Sequence, residues 1–216
     1  DETGGLDTVT IPAVNVNGMF ASSVFGQDGA GTASYKLNAS DGVSTGLYLT
    51  SDPEHAHEIR LVKVSDTQYE GWSDGNTNTG TKAFTISING VTGDVTVTQN
   101  ATLDHPLGGA AHDDAVGLVG DAAVWVSLSV TDADGDTASA GSASASALSI
   151  TFKDDGPSVA VAVNPTTASA TLDETGGLDT VTISAAAING LFSSSSVVFG
   201  QDGPGTAIYT LNRSEE

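Results

Sequence analysis

The sequence predicts an all-β fold, an antiparallel immunoglobulin-like β-sandwich in tandem repeat. Three observations carry that reading. Apolar residues alternate with hydroxyl-bearing or charged ones at period two in run after run, as half-buried strands require. Turn pairs separate the runs at short intervals, with 26 glycines along the chain and no stretch patterned as an amphipathic helix. The stretch DETGGLDTVTI occurs twice without a change, at Asp1 to Ile11 and at Asp173 to Ile183.

The strands follow in order. Val9-Thr10-Ile11, Tyr35-Lys36-Leu37, Ile59 to Val64, Phe84-Thr85-Ile86-Ser87-Ile88, Val95-Thr96-Val97-Thr98 and Leu148-Ser149-Ile150-Thr151-Phe152 each place apolar side chains on one parity. Val124, Val126, Leu128 and Val130 form the clearest inward row, with Trp125 on the opposite parity, over an edge or under a loop. Leu47 to Thr50 is strand-like as well. The turns fall at Asn17-Gly18, Asp28-Gly29, Asp41-Gly42, Asp74-Gly75, Asn89-Gly90 and Gly93-Asp94. Asn89 to Gly93 is the best hairpin loop, joining the Phe84 and Val95 strands. Leu103 to Gly120 and Asp74 to Gly80 read as long loops.

The repeat sets the domain organisation. Beyond the identical core, Asn17-Gly18-Met19-Phe20 is answered by Asn189-Gly190-Leu191-Phe192, and Phe25 to Gly29 by Phe199 to Gly203. A period of this length is domain-sized and not that of a solenoid. Lys153-Asp154-Asp155-Gly156-Pro157 marks the boundary, because Pro and Gly end the preceding strand and a fresh alternating run starts at Ser158. Residues 1–157 are therefore expected to form one nearly complete sandwich lacking its first strand, and 158–216 the opening part of the next. Ser158 to Leu172 are expected to supply a first strand to their own unit, to the preceding one, or to a neighbouring molecule, since an open sheet edge is a template for pairing.

Charge narrows the function classes. The chain carries 27 acidic and 6 basic residues in 216, a formal net charge of -21, which excludes a nucleic-acid footprint and disfavours anionic membrane surfaces. Such an excess either sits solvated on the surface or gathers around divalent cations. The absence of cysteine excludes a disulfide framework, leaving metal binding as the staple open to an extracellular protein. No apolar run approaches membrane-spanning length.

Val130 to Thr137 holds the sharpest candidate site. Asp132, Asp134 and Asp136 alternate after a strand, with Gly135 permitting a tight turn, so their oxygens can converge on a hard cation such as Ca²⁺. The competing reading is a hairpin turn with solvated carboxylates. The distal Glu and flanking helices of an EF-hand are missing. Asp154 and Asp155 at the boundary, with Asp173 and Glu174 in the motif, either clamp tandem units through shared Ca²⁺ or form a polar linker. Asp1 and Glu2 are the equivalent pair in the first copy.

Other motifs carry less. His55-Ala56-His57-Glu58 offers too few ligands for zinc and reads as exposed histidines ahead of a strand. His105, His112, Asp113 and Asp114 share one loop without ligand spacing. Gly42-Val43-Ser44-Thr45-Gly46 matches G-x-S-x-G but lacks the helix that a nucleophile elbow needs, so no enzyme is expected. Tyr69 and Trp72 beside the Asp74 to Gly80 loop support a second, glycan-stacking reading, against core or edge packing.

At Leu172-Asp173-Glu174-Thr175, at Val130 to Ser139 and at Asp154-Asp155-Gly156-Pro157, the sequence resembles the tandem repeat domains of giant type I secreted RTX adhesins of Gram-negative bacteria. The likeness spans the whole chain through short motifs. It implies an extracellular, Ca²⁺-binding extender sandwich on the cell surface, in contact with neighbouring repeats, that projects a distal ligand-binding region for adhesion or biofilm formation. The family's calcium ligands carry over onto Asp132, Asp134 and Asp136, and less directly onto the boundary acids. The glycine-rich nonapeptide repeat of the RTX C-terminus is absent here, so the resemblance implies a segment of the extender region and not of the secretion-signal end.

Overall fold

The computed structural model describes residues 5–21, 27, 29, 31–106, 114–118, 120–142, 144–157, 168–192, 200, 201, 203 and 205–211. The chain divides into two compact units, Asp1–Asp155 and Gly156–Glu216. The first is an antiparallel β-sandwich. Its larger sheet has five strands in the order β1-β6-β5-β4-β3, formed by β1 (Thr8–Ile11), β3 (Ile59–Ser65), β4 (Gln68–Ser73), β5 (Lys82–Ile88) and β6 (Val95–Gln99). The opposing layer has β2 (Thr32–Asn38), β8 (Trp125–Thr131) and β9 (Thr137–Ala140) in the order β2-β8-β9, with β7 (Ala115–Gly117) paired to β10 (Thr151–Lys153) beside it.

Alternation decides which side chains meet in the middle. Ile59, Leu61, Tyr69, Phe84, Ile86 and Val95 face inward from the five-stranded sheet, all 1% exposed or less. Leu37, Val124, Val126 and Leu128 come from the other layer, completing one continuous core with Phe152 and Ile150. Phe84 and Phe152 meet at 5.2 Å between ring centroids. Truncating a buried aromatic of this kind typically costs about 3–5 kcal/mol, through lost transfer energy and the cavity left behind. The inward row Val124, Val126, Leu128 and Val130 forms as its spacing requires, and Trp125 is half-buried on the other parity.

The Asn89–Gly93 hairpin forms, closing β5 onto β6 with Ile88 opposite Val95. The Asn89 carbonyl accepts from the Gly93 amide at 2.8 Å, and its side chain accepts from Val91 and Thr92, so one residue holds the whole turn.

Four segments differ from the sequence expectation. Leu47 to Thr50 makes only an isolated bridge, Leu49 to Leu103, although Leu47 and Leu49 are buried. The left-handed backbone at Gly46, φ 74°, interrupts any ladder continuing from Ser44. The supposed loop after Leu103 contains β7, which pairs with β10 through Val116 and Phe152. Among the described residues two five-residue helices also occur, α1 (Ala13–Asn17) and α2 (Ala185–Asn189), too short to show any helical period.

The helices occupy equivalent places in the two copies, and each ends on a glycine, Gly18 or Gly190. In the second unit the Ser184 side chain caps α2 by accepting from the Ala187 amide. Thr180 to Ile183, identical to β1, forms no strand among the described residues of that unit. The proposed opening run at Ser158 to Val163 lies outside the described residues.

Candidate metal centre

The β8–β9 hairpin builds the site. The strands pair down to Thr131 opposite Thr137, leaving Asp132 to Asp136 as the connecting loop. Asp132 closes it: its amide donates to the Asp136 carbonyl at 3.0 Å, while its Oδ1 accepts from the amides of Asp136 at 2.8 Å and Gly135 at 3.2 Å. Gly135 takes φ 102°, a conformation open mainly to glycine. On the other side, Gly31 lies so close that a Cβ there would fall 1.8 Å from the Thr131 carbonyl oxygen.

This turn brings one oxygen each from Asp132, Asp134 and Asp136 within 4.8 Å of one another. Ca²⁺ binds oxygen at about 2.3–2.6 Å, so ligands on opposite sides of one ion stand roughly 4.6–5.2 Å apart. The three oxygens therefore lie close enough together to share one such ion. The Asp132 carboxyl is held below the usual carboxylate range, first by the hydrogen bond it shares with the Asp134 side chain, then by the backbone amides, with burial opposing. A group kept ionised there can serve as a metal ligand at neutral pH, and a divalent cation would relieve the repulsion among three carboxylates. Asp134 and Asp136 are exposed and Asp132 half-exposed, leaving room for water ligands.

The boundary acids are engaged locally, within separate units. Asp154 donates its amide to the Asp114 carbonyl at 2.8 Å, and its Oδ1 stands 3.6 Å from Nδ1 of His105, whose side chain is 3% exposed. Asp155 is half-buried. In the second unit, Asp173 Oδ1 accepts from the Thr175 hydroxyl and from the Thr175 amide. Those two bonds, the hydroxyl's first, hold the Asp173 carboxyl below its usual range. Glu174 is exposed and closes a turn through its carbonyl to Gly177. Asp132, Asp134 and Asp136 are the one group of three metal-ligand side chains among the described residues. Asp1 and Glu2 lie outside them, as do His112 and Asp113.

The histidines ahead of β3 are exposed, and each has a carboxylate partner. His57 Nδ1 meets Asp74 Oδ2 at 2.6 Å, and His55 Nε2 meets Asp104 Oδ2 at 2.9 Å while stacking on Tyr48 at 4.3 Å. The sequence showed the histidines but not their acids, which come from distant loops. Ser44, in the G-x-S-x-G match, bonds the Glu58 carboxylate and bridges to Arg60, with no helix following.

Tyr69 belongs to the core at 1% exposure, its hydroxyl donating to the Ala39 carbonyl and accepting from the Ala39 amide. Trp72 is half-buried on the outer face, where its Nε1 donates to Glu70 at 2.7 Å and the Lys82 ammonium stands 5.8 Å from its ring. Sequence reasoning missed this polar cluster, because Glu70 and Lys82 are not neighbours until β4 and β5 pair.

No described helix is long and apolar enough to cross a membrane. A family model described as a domain of unknown function, DUF5801, matches residues 1–143. No curated protein and no solved structure matches the chain.

Proposed function

Since the chain belongs to the DUF5801 family, whose description gives no function, its role must be read from its own residues, and we propose a non-catalytic structural extender module, stiffened by Ca²⁺. The observation that carries the reading is the convergence of Asp132, Asp134 and Asp136 in one hairpin of a cysteine-free, strongly acidic sandwich. Each module would be one link in a tandem array, and the array would project a distal ligand-binding region of a large bacterial surface adhesin. The exact repeat of DETGGLDTVTI supports the array.

Export follows the same physics. At low cytosolic Ca²⁺ the clustered carboxylates repel one another and disfavour the compact state. Outside the cell, the ion binds the folded state alone and stabilises it by mass action. Asp154, Asp155, Asp173 and Glu174 would add a second set of ligands at the joints between modules. The test is thermal unfolding with Ca²⁺ and with EDTA. A melting curve that is the same in both sinks the proposal.

A further inference from the structure

Among the described residues, one apolar groove on the first unit is left without a cover. It has a volume of about 190 Å³ and is lined by Val9, Ile11, Val97, Ile150 and Phe152, with Gln99 beside them. Val9 has the inward parity of β1, opposite the half-buried Val97, yet is 54% exposed, whereas the inward Phe84, Ile86 and Ile88 of β5 are 5% exposed or less. The strands flanking the groove are both edges. Among the described residues β1 pairs only with β6, and β10 only with β7. An open backbone edge beside an apolar trough takes an added strand, whose main chain pairs with the edge and whose alternate side chains fill the trough.

We propose that the groove accepts the run Ser158-Val159-Ala160-Val161-Ala162-Val163 from a second copy of this chain. Its sequence has the required pattern, with valine at every second position. Six extended residues span about 20 Å, enough to follow all of β1. The run is also uncharged in a chain of net charge -21, so it approaches an acidic neighbour without adding repulsion. It stands fifteen residues ahead of the second DETGGLDTVTI. The donation depends on strand pairing and not on calcium, so failure of the calcium test leaves it standing.

The absence of native cysteine makes the test direct. A full-length chain carrying Val9→Cys is mixed with a longer-tagged full-length chain carrying Val161→Cys and mildly oxidised. A mixed disulfide dimer is expected, and is lost when Val64→Cys, equally exposed on β3 at the opposite sheet edge, replaces Val9→Cys. Equal yield from both pairs, or none from either, overturns the proposal. So does a Val9→Cys, Val161→Cys double variant that links only within one chain. Sedimentation of the unmodified chain provides a reading free of cysteine: a concentration-dependent dimer is expected and is lost on Val161→Asp, whereas a monomer at every concentration overturns it.

Discussion

Asp132 and Asp136 bond each other twice, amide to carbonyl at 3.0 Å in one direction and amide to carboxylate at 2.8 Å in the other. This reciprocal clasp closes the β8–β9 loop from within, and it divides labour among the three aspartates. Asp132 shapes the loop as well as offering an oxygen, whereas Asp134 is free of that backbone duty.

Asp134→Asn is therefore expected to abolish the rise in melting temperature on adding Ca²⁺ while leaving the curve in EDTA unchanged. Asp132→Ala is expected to lower the curve in EDTA too, because the amides of Gly135 and Asp136 lose their acceptor. Saturation at 100 times the dissociation constant corresponds to about 2.7 kcal/mol of added stability, a shift of several degrees. Calorimetry on the two variants with and without Ca²⁺ checks both.

Gly71→Ala should destabilise the sandwich by about 1–3 kcal/mol through overpacking. A Cβ at Gly71 would fall 2.4 Å from the ring of Phe84, which is fully buried and held against Phe152. Chemical denaturation should show a lower midpoint with an unchanged slope, since the surface exposed on unfolding stays the same.

The Glu70 cluster makes acid stability depend on Trp72. Burial pushes the Glu70 carboxyl up, but hydrogen bonds from Trp72, Lys82 and Gln68 outweigh it and leave the group below its ordinary 4.5. A depressed folded value means stability that is complete above the unfolded value and lost as pH falls through the folded one. Trp72→Phe removes one donor, so acid unfolding should begin at a higher pH, with a loss near neutrality of about 1–3 kcal/mol. Circular dichroism along a pH series measures both.

His57 should titrate above its ordinary 6.5, because the hydrogen bond and charge of Asp74 favour the imidazolium. Raised in the folded state, it contributes stability present below the unfolded value and lost as pH rises through the folded one. NMR titration should show Asp74→Asn bringing His57 back toward 6.5, and an unmoved midpoint would count against the pairing.

The sequence was legible wherever the determining contacts are local. Period-two alternation placed the inward row Val124, Val126, Leu128 and Val130, and Asn89 with Gly93 fixed the hairpin from β5 to β6. The three aspartates that converge in the β8–β9 loop were equally visible, since they lie within five residues. What stayed hidden required distant partners: the acids facing His55 and His57, the Glu70, Trp72 and Lys82 cluster, and the pairing of β7 with β10.

The duplicated stretch separates the two kinds of information in a single chain. Asn17-Gly18 and Asn189-Gly190 each end a short helix, because a helix draws its hydrogen bonds from its own residues. Thr8–Ile11 is a strand paired with Val95–Thr98, while the identical Thr180 to Ile183 has no strand partner among the described residues and forms none. Sequence alone determined the strand's pattern and which face is apolar. Tertiary structure decided whether the strand exists, because every ladder bond it makes must be supplied by another segment of chain.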